Sequence, residues 1–342
     1  MAFYKLFGSM REKRIGQGED SDPILFRPTE NDEFIAVGVL DGMGGAGGSE
    51  CVSDYSIDNV HKTKAYVASR IIRDAIEELL NISVDNNSIQ DFGIRLRDTI
   101  LKRYEEEKKK YPSKSKVTLR SSLIKDYPTT LALVTVRTAD KHFIIDSYWA
   151  GDSRNYLWTS DGLFQISRDD LRGEQDPLEN LREDAPMSNC LYCGGDFEIN
   201  HIRIDNLSSS DKIILISATD GCFGYYPSPM DFERVLRKTL IHSKSFEDWE
   251  ENLIKEFDSV TADDFSFAIA TLGFDTIKDI KNAMSGHSDN SYKCYFRERS
   301  ELERQIRKAE RKLTILNKRK EQGLLRSWSD YKNTYLKYVD KK

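Results

Sequence analysis

The chain has 342 residues, 39% of them hydrophobic and 32% charged, with a formal net charge of −6, a balance that suits a soluble globular protein with a proper core and an extensive charged surface. No apolar run approaches the roughly 18 residues of a membrane span, and Met1-Ala-Phe-Tyr-Lys5 lacks the apolar core of a signal peptide, so a cytoplasmic protein without membrane contact is expected. Five scattered cysteines argue against a disulfide framework, and the five histidines form no ligand pair. Cys190-Leu-Tyr-Cys193 has CxxC spacing but no second ligand pair that would make a zinc site of it.

In chain order, residues 1 to 33 read as polar and broken, with a turn over Gly16–Pro23 and a short strand through Ile24–Phe26. Phe34 to Leu40 is then an apolar run without helical period, a buried strand that stops at Asp41. The loop after it holds Gly42, Gly44, Gly45, Gly47 and Gly48, which let the backbone turn tightly and approach a ligand. A single Asp-Gly pair is ordinarily just a turn. Val60–Leu80 and Ile89–Lys110 carry helical apolar spacing, and Glu105–Lys110 reads as the solvated end of the second helix.

From Thr129 the period changes to that of strands: Thr130–Val136, Phe143–Trp149 and Asn155–Trp158, separated by short polar turns. The Asp-Gly pattern then recurs. Lys212–Gly221 is an apolar strand delivering Asp220-Gly221, and Ala262–Leu272 places Asp263 and Asp264 just before a strand. Three carboxylate-bearing strand ends point to one shared site. Carboxylates are too costly to gather unless cations neutralise them, and hard divalent cations take oxygen ligands while keeping several waters. Periodicity alone gives an α+β chain.

These segments resemble the metal-dependent protein phosphatases of the PP2C type, in a bacterial-like subgroup. The matching stretches are Gly18-Glu-Asp-Ser21, Val39-Leu-Asp-Gly-Met-Gly-Gly45, Pro128-Thr-Thr-Leu131, Trp149-Ala-Gly-Asp-Ser-Arg-Asn-Tyr-Leu157, Ile216-Ser-Ala-Thr-Asp-Gly221 and Asp263-Asp-Phe-Ser266, in the family's order. The resemblance implies a β-sandwich of antiparallel sheets flanked by helices, over residues 1–276. It implies two Mn²⁺ or Mg²⁺ ions that activate a water for in-line attack on the phosphorus of phosphoserine or phosphothreonine in a protein substrate. Asp41 would bridge both ions and the Gly42 carbonyl would bind one. Asp220 and Asp264 would hold the other, with Glu19 and Asp20 acting mostly through bound waters. Asp152 resembles the ligand of a third, looser ion, or is a turn carboxylate that caps Ser153 or pairs with Arg154.

The family's phosphate-binding arginine falls to Arg14 or, as a second option, Arg11. Met43 stands where many eukaryotic relatives have a histidine after Asp-Gly, and Arg168-Asp-Asp-Leu171 stands where the family commonly has Asp-His. The segment Ser167–Gly195 borders the site in relatives, so these differences bear on substrate selection. The alternative to an enzyme is a PP2C-fold module that binds a phosphoprotein or partner with little catalysis. Retention of Asp20, Asp41, Asp220 and Asp264 favours catalysis, since a binder has no use for them.

Beyond Phe274 the composition shifts. Residues 277–292 read as a polar linker, and residues 293–342 as two amphipathic helices meeting at Gly323, a C-terminal α-helical hairpin. From Lys293 onward there are 16 Lys and Arg against 7 Asp and Glu, a net +9, which leaves −15 on the preceding residues of a chain that totals −6. A basic tail on an acidic body suits docking on its own body or on a protein partner. Without a base-reading motif, nucleic acid is not an expected partner.

Overall fold

The computed structural model describes residues 4–28, 34–51, 53–55, 62–85, 88–111, 125–139, 141–173, 176–183, 185–287 and 289–338. Its elements are β1 (Tyr4–Arg11), β2 (Ile24–Phe26), β3 (Phe34–Val39), the one-turn helix α1 (Gly44–Gly47), two-residue strands β4 (Glu50–Cys51) and β5 (Lys62–Thr63), and helices α2 (Lys64–Asp85) and α3 (Phe92–Lys110). There follow β6 (Leu131–Ala139), β7 (His142–Ala150), β8 (Arg154–Thr159), β9 (Gly162–Gln165), β10 (Asn200–Ser208) and β11 (Ile213–Ala218). The last are the one-turn helix α4 (Asp220–Phe223), α5 (Pro229–His242), α6 (Phe246–Val260), β12 (Phe265–Leu272), α7 (Ile277–Met284) and α8 (Asn290–Tyr335).

Two antiparallel sheets of five strands result, in the orders β1-β12-β11-β8-β9 and β10-β7-β6-β3-β2. Along β3, β11 and β12 every residue is buried, because both faces of each sheet are covered. Alternation along the strand decides which layer each side chain enters. Ile35, Val37 and Val39 of β3 meet Ile213 and Leu215 of β11 and Ala268 and Ala270 of β12 between the sheets. Phe34 and Ala36 point the other way, onto α2 and α3, while Ile214, Ile216, Phe265 and Phe267 pack under α5 and α6. The architecture is the expected sandwich of antiparallel sheets flanked by helices.

Three expectations need correction. Residues 4–11, read as irregular, form an edge strand paired with β12 from Tyr4↔Leu272 to Arg11↔Phe265. Lys5, Ser9 and Arg11 obscure the strand pattern, since only one face of an edge strand need be apolar. The stretch expected as a linker holds α7, whose first turn has a capping box between Thr276 and Asp279 and whose Ile280 and Met284 are buried in the core beneath α5 and α6. The chain accordingly divides into Met1–Ser288 and Asp289–Lys342, with α7 belonging to the first unit rather than to a linker over 277–292.

The third correction concerns the tail. Among its described residues, the second unit holds a single helix of 46 residues and no hairpin. A lone glycine costs a helix about 1 kcal/mol relative to alanine, and Gly323 is flanked by Lys, Arg, Glu, Gln and Leu, all good helix formers, with no proline or second turn residue to reverse the chain. The expected helix start at Val60 lies outside the described residues.

Candidate metal centre

Strand register brings the carboxylates together. Asp41 follows β3, whose last residue pairs Val39↔Ala132 at the start of β6, and β6 begins opposite Ala150, just before Asp152. In the other sheet Ala218, two residues before Asp220, pairs with Arg154 and with Phe267, so the end of β11 lies beside the starts of β8 and β12. Ser21 donates its N–H to Leu40 O at 3.1 Å, which draws Glu19 and Asp20 to the same end. The sandwich thus presents six acidic residues, Glu19, Asp20, Asp41, Asp152, Asp220 and Asp264, at one edge of both sheets.

The backbone at Asp41 is fixed on both sides. Its N–H donates to Thr130 Oγ1 at 3.1 Å, and its carbonyl accepts from Thr129 Oγ1 at 2.7 Å and from the Thr130 N–H at 2.8 Å. The Gly42↔Thr129 bridge uses Asp41 O and Met43 N, which leaves the Gly42 carbonyl outside that pairing. Asp264 is held by the backbone N–H groups of Lys13 at 2.7 Å and Glu19 at 2.9 Å. Thr219 Oγ1 donates to Asp20 at 2.9 Å and Thr63 Oγ1 to Glu19 at 2.5 Å. A Cβ on Gly44 would lie 1.9 Å from Glu19 Oε2, so glycine is what lets the Glu19 carboxylate approach the loop.

Electrostatically the cluster is unbalanced. Asp20 and Asp41 are close neighbours, so that ionising Asp20 opposes ionising Asp41. Burial, then repulsion from Asp220 and Asp264, pushes Asp20 up to about 8. Burial, with Asp20 and Asp220 beside it, holds Asp41 well above the usual carboxylate range. Asp152 is pushed up to about 8 by burial and by Asp220, and Asp220 to about 6 by burial and by Asp263. Glu19 is also raised, first by burial. The obvious counter-charge is taken: Arg154 gives two hydrogen bonds, of 2.8 and 2.6 Å, to the buried Asp169. Arg154 therefore pairs with Asp169 and not with Asp152.

Among the described residues no three His, Cys, Asp or Glu side chains close around one point as a ready ligand set. What exists is an open ring of oxygen donors with excess negative charge. That donor set fits a hard divalent cation, which binds through one or two carboxylates and keeps several waters. It does not fit zinc, for which His or Cys ligands would be expected in a closed tetrahedron.

These shifts have a thermodynamic consequence in the cation-free protein. Asp20 and Asp152 are each pushed up to about 8 in the folded state, against about 4 for an unfolded aspartate. Between the two values the folded chain binds more protons than the unfolded one, so stability is present below about pH 4 and is lost as pH rises through about 8. In chelator, the melting temperature should decline from pH 5 to pH 9, and Asp20→Asn should flatten that decline. Calorimetry showing a constant or rising melting temperature over this range would contradict the arrangement.

The structure does not bring Arg14 or Arg11 into contact with the carboxylates. Arg14 is exposed on the turn after β1, and among the described residues its side chain makes no ion pair or hydrogen bond; Arg11 donates to Met10 O at 3.5 Å and lies near Glu250. Residues that sequence reasoning left without a role include Thr129, Thr130 and Thr219, which lay in matched stretches, and Thr63 and Arg70. Arg70 stacks on Tyr66, 3.4 Å from the ring centroid, and donates to Gly18 O at 3.3 Å and Glu19 O at 3.4 Å. Nothing in its spacing on α2 distinguishes it from a surface arginine. Asp170 accepts from the Gly151 N–H at 3.0 Å and shapes the turn that carries Asp152. A cleft beside the carboxylates is lined by Asp152, Asp169, Asn180, Asp220 and Tyr225.

No family model matches the chain, and no curated protein matches it in sequence. Solved structures match it in fold. The Mycobacterium tuberculosis serine/threonine phosphatase PstP superposes with a TM-score of 0.53 at 13% identity, over 79% of this chain and 99% of that one. PppA, a regulatory component of the type VI secretion system in Pseudomonas aeruginosa, gives 0.51 at 18% identity, over 80% of this chain and 100% of that one. The catalytic domain of PstP in complex with two manganese ions gives 0.50 at 15% identity, over 80% and 99%.

Proposed function

From the PP2C-type phosphatase fold that this chain has, we propose that it is a divalent-cation-dependent hydrolase that removes phosphate from phosphoserine and phosphothreonine of proteins. The observation that carries this reading is the gathering of Asp20, Asp41, Asp152, Asp220 and Asp264 at one end of both sheets, where Arg154, hydrogen-bonded to Asp169, only partly offsets their charge. The two manganese ions of the PstP catalytic domain support the choice of cation.

In this proposal Mn²⁺ or Mg²⁺, two ions with a third at Asp152, would supply the Lewis acidity that ionises an attacking water and offsets phosphoryl charge. Asp41, the Gly42 carbonyl, Asp220 and Asp264 would hold the pair, with Glu19 and Asp20 outside them. Thr129 and Thr130 fix the peptide at Asp41, so that its carboxylate does not reorganise during reaction. Arg14, next to the Lys13 that anchors its backbone on Asp264, is the proposed phosphate-binding arginine. Met43 has no proton to give, so protonation of the leaving alkoxide falls to water or another side chain. The cleft along Asp152, Asn180 and Tyr225 leaves room for the substrate chain.

The test is phosphate release from a phosphothreonine peptide with saturating Mn²⁺. Many turnovers per chain are expected. Stoichiometric binding of the peptide without phosphate release would instead establish a binding module.

A further inference from the structure

The long helix α8 carries an apolar seam whose chemistry identifies what covers it. Leu302, Ile306, Ala309, Leu313 and Leu316 recur in steps of four and three, and after Lys320 the steps resume through Leu324, Trp328, Tyr331 and Tyr335. Consecutive steps of four around Lys320 are the one interruption, a local unwinding that coiled coils tolerate. The steps average 3.5 residues from Leu302 to Leu316 and about 3.7 over the whole stripe to Tyr335; a stripe this narrow fits a second helix, whereas docking on a globular body calls for a wider apolar face. The seam is exposed: Leu313 is 58%, Leu324 68% and Tyr335 64% accessible. Much of the basic charge lies elsewhere, since Arg297, Arg304, Arg311 and Lys318 recur every seven residues on the face opposite the seam.

We infer that α8 pairs with α8 of a second copy of this chain as an antiparallel coiled coil. Sliding the helix against its own reverse finds a register in which Leu302 faces Tyr335 of the second copy, Ile306 faces Tyr331, Ala309 faces Trp328 and Leu313 faces Leu324. The smallest seam residue then meets the largest, as close packing requires. A parallel pair would place Trp328 on Trp328, Ala309 on Ala309 and, worst, Lys320 directly on Lys320. In the antiparallel register Lys320 meets Leu316 and Asn317 instead. Beside the seam, Glu303 comes next to Lys332 of the second copy, twice per dimer. Arg299 occupies one Glu303 oxygen on its own helix at 2.8 Å, which leaves the other for that lysine.

Within one helix Glu303 and Lys332 are 29 residues apart, about 43 Å at 1.5 Å per residue. A zero-length carbodiimide link between them therefore requires two antiparallel chains. The experiment is sedimentation equilibrium of the full chain, followed by carbodiimide coupling and peptide mass spectrometry. The expected result is a two-chain mass, with the Glu303–Lys332 link confined to the dimer. Leu313→Glu should abolish both while the unfolding of residues 1–288 stays at its wild-type temperature. A single-chain mass for the wild type, links only between α8 and residues 1–288, a dimer linked only at parallel in-register positions, or a Leu313→Glu chain that still dimerises would each overturn the inference. None of these outcomes bears on phosphate release, so the two proposals stand or fall separately.

Discussion

Asp41→Asn is expected to lower kcat on a phosphothreonine peptide at least about 10³-fold, a loss of about 4 kcal/mol of transition-state stabilisation. The argument is electrostatic. Asn keeps the shape of Asp, but it removes the charge at the point where the end of β3 and the start of β6 hold the backbone most firmly. A cation held by one fewer carboxylate acidifies its water less. The fold itself should gain: in chelator at pH 8 the variant should melt higher than the wild type, because one of two crowded, buried acids has become a neutral amide with no charge to bury. The pairing of a lost rate with a raised melting temperature distinguishes a site residue from a structural one. Near-normal turnover in Asp41→Asn would place the chemistry elsewhere.

Gly221→Ala should be nearly as damaging although it removes no functional group. A Cβ at residue 221 would lie 1.9 Å from the carbonyl oxygen of Asp264, a backbone atom that cannot swing aside. The end of β11 and the start of β12 would have to separate, and Asp220 and Asp264 ride on those two segments. Overpacking of this kind costs roughly 1–3 kcal/mol of stability, and displacing catalytic groups by about 1 Å costs on the order of 10²-fold in rate. Gly45→Ala is the control, since nothing lies within 4 Å of a Cβ there. Equal behaviour of the two variants would show that the contact between Gly221 and Asp264 does not set the site.

Much of this was legible in the residues. The strands ending at Asp41 and Asp220 and beginning after Asp264 were readable because each is buried on both faces and so is apolar along most of its length, interrupted only by small residues such as Ser217, Ser266 and Thr271. β1 was not, because an edge strand with lysine and arginine on it lacks that signature. α7 was missed because its two buried residues, Ile280 and Met284, sit among Lys, Asp and Asn within eight residues. The helical hairpin was an over-reading of Gly323: a single glycine marks where a helix can end, and only the partner that stacks against it decides whether it does. The carboxylates were visible as strand-end punctuation, whereas the residues that aim them, Thr63, Thr130 and Thr219, act across 44, 89 and 199 residues of sequence, so that even where Thr130 and Thr219 lie in matched stretches the sequence does not say which carboxylate each one holds. The pairing of Arg154 with Asp169 likewise depends on the turn between them, and only the fold shows that its guanidinium is hydrogen-bonded to Asp169.

The most direct test of the central claim, that these carboxylates work through a divalent cation, is the rate of phosphothreonine-peptide hydrolysis as Mn²⁺ is titrated into chelator-stripped protein. The account predicts no turnover at the start and a saturable rise to full activity with added Mn²⁺, with Mg²⁺ also restoring turnover. Full activity in excess chelator, unchanged on adding either cation, would contradict it.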